Sequence, residues 1–82
     1  MKIYDYNGKK NLCGERIKKM RKKMKLSQSD LVARLQVEGI ILERDSLSRI
    51  ESGARFVTDY ELFWFSQILN VDILWLLGVT DD

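Results

Sequence analysis

The residues of this 82-residue chain that are best suited to chemistry lie in one basic segment. Residues 16–25, RIKKMRKKMK, contain seven positive side chains within ten positions: Arg16, Lys18, Lys19, Arg21, Lys22, Lys23 and Lys25. Charges this dense repel one another, and an anionic partner would relieve that repulsion. The alternative is a solvated helix face, because cations also suit the C-terminal end of a helix.

Charge is divided unevenly along the rest of the chain as well. Residues 1–26 contain ten Lys or Arg against two carboxylates, and residues 27–82 contain four against ten, so the two parts carry net charges of +8 and −6. The total of +2 therefore conceals a strongly basic N-terminal third. This distribution favours a polyanion such as nucleic acid as the partner.

Several other kinds of chemistry lack the residues they need. The chain has no histidine and one cysteine, Cys13, which excludes a disulfide framework and argues against a zinc site or a histidine-based catalytic dyad. We expect Cys13 to be a buried small residue rather than a redox site, and the carboxylates of Asp81 and Asp82 to be solvated. We therefore predict that the protein is not an enzyme and uses no metal or cofactor.

No segment of the sequence resembles a membrane span or a targeting signal. A span needs about 18–20 consecutive apolar residues, which no part of the chain provides, and the start MKIYDYNGKK has no apolar core. We expect a cytoplasmic protein that does not contact a membrane. No small-molecule ligand is evident from the sequence.

The elements that must position the basic residues are helices. The chain has no proline, only five glycines, and no long alternation of apolar and polar residues, which predicts an all-α fold. The first helix is predicted from about Leu12 to Lys25, with Asn11 as its N-cap. The second begins at a capping box of Ser27 and Asp30 and stops at Gly39.

Three more helices complete the prediction. The third is short, roughly Arg44 to Ser52, with Leu47 and Ile50 facing inward. The fourth runs from about Thr58 to Asn70 behind a second capping box, and the fifth is predicted from Asp72 to Gly78. We interpret residues 1–11 as an N-terminal arm and residues 12–82 as one domain.

A capped helix, a turn and a short helix can bind DNA, since the first can bridge the backbone while the second enters the major groove. In this order and spacing the chain resembles the phage repressor and Cro type of helix-turn-helix protein, the XRE-like family. The matching stretches are GERIKKMRKKMKLSQSDLVARL, SLSRIESG and ELFWFSQILNVDILWLLG, which cover most of residues 14–78. The resemblance implies a five-helix lambda-repressor-like domain that acts as a sequence-specific transcriptional regulator, a repressor, on double-stranded DNA.

The resemblance also implies roles for individual residues. The base-contacting candidates in helix three, which reads the major groove over about residues 44–52, are Arg44, Asp45, Ser46, Ser48 and Arg49. The phosphate-contacting candidates are Ser27, Gln28, Arg21, Ser52 and Arg55. In relatives, residues at the positions of Arg21 and Glu51 form an ion pair that fixes the orientation of the reading helix.

The connector between helices two and three departs from the family pattern, because it is several residues longer than the usual tight turn. Residues 38–42 fill the excess, and we expect the apolar trio Ile40, Ile41 and Leu42 to pack against the core. Helix three has no Ser or Thr cap at Glu43. Asp45 is therefore either the cap of a later-starting helix or a base reader.

Helix four has apolar residues on two faces. Leu62, Phe65 and Leu69 cluster on one side, and Tyr60, Trp64 and Ile68 on the other, so both sides must be covered. One possibility is that the arm, with Ile3, Tyr4 and Tyr6, or helix five covers the second side. The other is a homodimer, whose interface candidates are Tyr60, Trp64, Ile68, Trp75 and Leu76.

A homodimer predicts a pseudo-palindromic operator with half-sites about one helical turn apart, ~34 Å. The competing function is a protein-binding module on the same fold, an antitoxin or anti-repressor that acts through the aromatic face of helices four and five. The acidic C-terminal part and the long connector favour this alternative.

Overall fold

The computed structural model describes residues 6–81, and this part of the chain contains five α-helices and no strand. The helices are α1 (Gly14–Lys23), α2 (Gln28–Val37), α3 (Arg44–Glu51), α4 (Asp59–Leu69) and α5 (Ile73–Leu76). The all-α prediction is confirmed. No helix of the described residues is long and apolar enough to cross a membrane.

Capping residues set the helix starts. Ser27 and Asp30 form a complete capping box at α2, and Thr58 and Glu61 form another at α4, both as predicted. At α5 the Asp72 carboxylate accepts a hydrogen bond from the Leu74 N–H at 2.8 Å. The N-cap of α3 is Glu43, whose side chain makes no cap hydrogen bond, so Asp45 is not the cap and lies within the first turn.

The predicted apolar stripes meet in one core. Ile17 of α1, Leu31 and Leu35 of α2, and Leu47 and Ile50 of α3 are completely buried. Phe65, Leu69 and Leu76 close the core from α4 and α5. Because both inward residues of α3 are buried, the opposite face of this short helix must point outward.

The long connector packs only in part as expected. Ile40 and Leu42 are buried, but Ile41 between them is 72% exposed, so its predicted packing is wrong. In an extended segment successive side chains point to opposite sides, which allows two of three neighbours to reach the core. Gly39 ends α2 in a left-handed conformation (φ 84°), as predicted for a helix stop.

The predicted arm is not separate from the domain over its described part. Lys10 donates its N–H to the Gly53 carbonyl at 2.8 Å. The Asn11 amide donates to the carbonyls of Ile50 and Arg55, at 3.0 and 2.8 Å. Residues 9–11 therefore belong to the packed unit, while Ile3 and Tyr4 lie outside the described residues.

The start of α1 lies directly against the end of α3. The N-cap of α1 is Cys13, so the prediction of Asn11 as the cap of a helix from Leu12 is wrong, although Asn11 does accept a hydrogen bond from the Gly14 N–H at 2.8 Å. A methyl group at Gly14 would overlap the backbone oxygen of Ile50. Only glycine allows this approach, and it fixes the position of α3 relative to α1.

Candidate nucleic-acid interface

One face of α3 is presented to solvent. Arg44, Asp45, Ser48, Arg49 and Ser52 are all exposed and, at 100° per residue, fall within one contiguous arc opposite Leu47 and Ile50. Ser46 is half-buried at the edge of this arc. We call the five exposed residues the α3 face. Four of the five base-contacting candidates thus share one surface, and Ser52, a phosphate candidate, lies at its end.

The chemistry of the α3 face matches the edges of base pairs. Arginine can donate two hydrogen bonds to guanine, and hydroxyl or carboxylate groups can meet exposed amino groups. Arg49 lies 3.4 Å from Asp45, one turn away, with the two side chains 56% and 79% exposed. Exposed pairs at this spacing contribute only about 0.3–0.5 kcal/mol, so Arg49 can exchange Asp45 for another acceptor.

A buried ion pair fixes the C-terminal end of α3. Arg21 of α1 donates to both carboxylate oxygens of Glu51, at 2.7 and 3.0 Å, and to the Leu26 carbonyl at 2.8 Å. This is the pair that the resemblance implies. The hydrogen-bonded carboxylate raises the pKa of Arg21 above its usual value, so the guanidinium is always charged.

The same cluster changes the interpretation of Arg21 as a phosphate contact. Its side chain is only 9% exposed, and three of its N–H groups already have acceptors. The geometry gives Arg21 a positioning role between α1, α3 and the start of α2. Little of the guanidinium surface is left for a phosphate.

Gln28 extends this cluster to α2. Its amide donates to Glu51 at 3.1 Å, which leaves the amide oxygen and the free N–H groups at the start of α2 for other partners. Ser27 is exposed beside it and already caps the helix through the Asp30 N–H, at 3.0 Å. A helix N-terminus with a neighbouring amide suits an anion such as phosphate.

Arg55 has a structural partner that the sequence did not reveal. It donates to both carboxylate oxygens of Glu61, at 3.1 and 3.3 Å, and to the Phe56 carbonyl. Burial would raise the pKa of Glu61, but the hydrogen bonds from Arg55 and Thr58 outweigh it and lower that pKa. Arg55 keeps about a third of its side chain exposed beyond the end of α3.

Two lysines that were not among the candidates flank the same surface. On α1, Lys18 and Lys22 follow the edge of the helix that carries Gly14 and Arg21 and faces α3, and both are exposed. Lys19 and Lys23 lie on the other edge. The charge pattern of the sequence does not show which of these two pairs of lysines lies near α3. The packing of α1 against α3 shows that it is Lys18 and Lys22.

The second face of α4 is only partly covered. Trp64 and Ile68 are half-buried against the core, Tyr60 is 59% exposed, and Phe63 is 44% exposed with its ring 5.1 Å from that of Trp64. Leu76 is completely buried, so the prediction that it lies in a dimer interface is wrong; in a helix as short as α5, it is the residue that faces the core. Phe63 was not among the predicted interface residues, although it is an exposed aromatic residue of α4.

Trp75 is half-buried and has a cation above it. The guanidinium carbon of Arg16 lies 4.8 Å from the centre of the Trp75 ring, and Arg16 also donates to the carbonyls of Trp75 and Thr80. These contacts hold the C-terminal segment against α1. One side of the ring is therefore used inside the molecule.

The single cysteine is buried beside the start of α1. Burial raises the pKa of Cys13 to about 11, so the thiol is protonated at neutral pH. This agrees with the expectation that Cys13 is a small core residue.

Comparison with known proteins places this geometry in a family. No curated protein and no solved structure matches the chain. A family profile described as a helix-turn-helix domain matches residues 14–81, which include all five helices and the α3 face. The chain therefore belongs to this helix-turn-helix family, a family of XRE-like domains.

Proposed function

We propose that this protein is a sequence-specific transcriptional repressor that binds double-stranded DNA and reads the major groove with α3. The observation that carries the proposal is the α3 face: an exposed arc with two arginines and two serines on a helix held from behind by Leu47, Ile50 and the Arg21–Glu51 ion pair. A rigidly held polar helix is what base readout requires, because the free energy of a base contact depends on fixed geometry.

The surroundings of the α3 face supply the phosphate contacts in this proposal. Ser27 and Gln28 at the start of α2, Ser52 and Arg55 at the end of α3, and Lys18 and Lys22 on α1 would meet the DNA backbone on either side of the groove. Asp45 tempers the positive charge on α3, which favours discrimination between bases over general attraction to phosphate.

A salt titration separates this function from the alternatives. Each domain offers three cations to phosphates, so two domains on one operator would neutralise about six. The logarithm of the association constant should then fall with the logarithm of salt concentration with a slope near −5, at about −0.9 per phosphate. A protein that binds no duplex DNA even at low salt would contradict the proposal.

Variants then separate base readout from backbone contact. We expect Arg44→Ala and Arg49→Ala to cost about 1–3 kcal/mol on the preferred site and little on unrelated DNA, so that specificity falls. Gln28→Ala would weaken binding to all sequences alike. Equal losses on every sequence for all three variants would contradict reading by α3.

We further propose that the repressor is a homodimer that uses the second face of α4. Tyr60, Phe63 and Trp64 offer aromatic surface on one helix, where exposed apolar groups favour association. Two domains related by a twofold axis would read a pseudo-palindromic operator and combine two sets of otherwise few contacts.

The same aromatic surface supports the second candidate function, a protein-binding module such as an antitoxin or anti-repressor. In that case the surface of Tyr60 and Phe63 would bind a different protein. Retained binding to a protein partner by an Arg44→Ala, Arg49→Ala double variant, together with no DNA binding by the wild type, would favour this candidate.

A further inference from the structure

A cavity of about 450 Å³ lies between the second half of α1, the α4–α5 turn and the C-terminal segment. Its apolar lining residues are Met20, Val71 and Trp75, all half-buried. Lys19 and Lys23 form a rim on α1. The volume falls within the range of about 300–1,000 Å³ that small-molecule sites occupy.

The charges around this cavity are not balanced. Of its two carboxylates, Asp72 accepts the Leu74 N–H at 2.8 Å and Asp81 pairs with Arg16 at 3.1 Å. Lys19 and Lys23, by contrast, form no ion pair with any residue from 6 to 81. Asp72 keeps its negative charge, since a backbone N–H is a neutral partner, and Asp81 is paired with Arg16; Lys19, Lys23 and Asp72 together therefore leave one positive charge in excess at the cavity.

We infer that this cavity, which we call the Trp75 pocket, binds a small organic anion with a flat apolar body, such as an aromatic carboxylate or sulfonate. The apolar part would lie against Met20, Val71 and Trp75. The anionic group would meet Lys19 and Lys23, which share one side of α1 at a spacing of one turn. Arg16, whose guanidinium carbon lies 4.8 Å from the centre of the Trp75 ring, holds the ring in place.

The Trp75 pocket is separate from the proposed DNA interface. At 100° per residue, Lys19 and Lys23 lie about 140–180° around α1 from Gly14 and Arg21, whose edge of the helix packs against α3. An occupant of the pocket would contact α1, α5 and the C-terminal segment but not the α3 face. The inference thus goes beyond the proposed function and does not depend on it.

Nuclear magnetic resonance with naphthalene-2-sulfonate as the probe tests the inference on the full chain. We expect saturable shifts of the Trp75 indole N–H and of backbone amides near residues 19–23 and 70–73, while the Trp64 indole N–H stays unchanged. The uncharged naphthalene-2-sulfonamide should bind about tenfold more weakly, since it keeps the ring but loses the ionic contacts.

Two matched double variants assign the charge effect to the pocket. Lys19→Gln with Lys23→Gln should weaken binding of the sulfonate about tenfold, whereas Lys18→Gln with Lys22→Gln should leave it unchanged. Both pairs remove two charges from the same helix. Equal weakening by the two pairs would show general attraction to a basic helix and would overturn the inference.

The absence of saturable shifts up to about 10 mM probe, an affinity too weak for a specific site, would overturn it as well. Failure of the proposed function can be distinguished from failure of this inference, because DNA binding is measured in a separate experiment. In that experiment we expect the Lys18→Gln, Lys22→Gln double variant to lose more DNA affinity than the Lys19→Gln, Lys23→Gln double variant.

Discussion

The position of α3 depends on a residue without a side chain. Gly14 begins α1, and the carbonyl oxygen of Ile50 occupies the space where a Cβ atom would lie. Asn11 joins the same two elements through hydrogen bonds to Gly14 and Ile50. Close backbone approach and side-chain hydrogen bonding together hold the end of α3 against the start of α1.

For replacement of Gly14 by alanine, helix propensity and steric overlap predict changes of opposite sign in the free energy of unfolding. Helix propensity alone would make Gly14→Ala stabilising by up to about 1 kcal/mol. The overlap with a backbone oxygen should instead destabilise the protein by about 1–3 kcal/mol or more, because the two helices must move apart. Urea denaturation monitored by circular dichroism measures the free energy of unfolding.

Gly39→Ala is the control for this experiment. Gly39 also has a backbone conformation that favours glycine, with φ at 84°. A Cβ atom added there would have no atom outside its immediate neighbours within 4 Å. Its substitution should therefore lower stability by about 1 kcal/mol through backbone strain alone and should leave DNA affinity unchanged. A Gly14→Ala protein as stable as the wild type would contradict the steric account.

The buried ion pair is a second test at the level of single residues. Removal of either Arg21 or Glu51 leaves the other charge buried without its partner, which typically destabilises a protein by about 3–5 kcal/mol. We expect Arg21→Met and Glu51→Leu each to be strongly destabilising and the double variant to be much less so than their sum. The coupling free energy of the double-mutant cycle should exceed about 1 kcal/mol.

The cycle needs a control pair of similar chemistry, and Asp45 with Arg49 provides one. This pair is exposed at the spacing of one helix turn, so its coupling should be only about 0.3–0.5 kcal/mol. If Arg21 and Glu51 showed a coupling as small as this, the pair would not be what fixes α3.

Among the helices, α4 is attached to the loop before it by a buried carboxylate. Glu61 completes the capping box with Thr58 and also pairs with Arg55, which follows α3. The sequence pattern predicted the box, since it depends on residues three apart. It did not predict the ion pair, because Arg55 reaches the Glu61 carboxylate only through the path of the loop between α3 and α4. The carboxylate accepts hydrogen bonds from both Arg55 and the Thr58 N–H.

The lowered pKa of Glu61 makes stability depend on pH. A carboxyl group with a lower pKa in the folded than in the unfolded state stabilises the fold above its ordinary value of 4.5, and this stabilisation disappears as the pH falls through the folded-state pKa. We expect Glu61→Gln to lower the free energy of unfolding by about 1.5–3 kcal/mol at pH 7. The difference from the wild type should shrink below pH 4.5 and can be followed by urea denaturation.

Glu43→Gln is the matched control, because the Glu43 side chain is exposed and makes no cap hydrogen bond. It should leave the free energy of unfolding nearly unchanged at both pH values. A constant difference between wild type and Glu61→Gln from pH 7 to pH 3 would show that the charge of Glu61 contributes nothing to the attachment of α4.

Across the whole molecule, local sequence patterns predicted more than contacts between distant residues did. Capping residues and helical periodicity located all five helices to within a few residues, and the α3 face follows from the burial of Leu47 and Ile50. Three features depend instead on how the helices pack: the position of Lys18 and Lys19 on different sides of α1, the attachment of residues 9–11, and the burial of Leu76. Local spacing does not determine that packing, which is why the contacts of residues 9–11 and the burial of Leu76 were not predicted.

Association of two copies is the remaining prediction and concerns the molecule as a whole. One α3 face offers few contacts, and the aromatic surface of α4 provides a means to join two of them. Phe63→Glu should turn a dimer into a monomer in sedimentation experiments, because it places a charge in an apolar contact while leaving the core untouched. Affinity for a complete operator should then fall to that for a single half-site.

Val37→Glu serves as the comparison, since it introduces the same charge on α2 at a side chain that is 82% exposed. It should remain a dimer and keep its affinity for the operator to within the small effect of one added negative charge. A wild-type chain that sediments as a monomer at high concentration, both alone and with duplex DNA, would contradict the dimer. The aromatic surface of Tyr60 and Phe63 would then be better explained as the binding site for a different protein, because exposed apolar patches of this kind favour association.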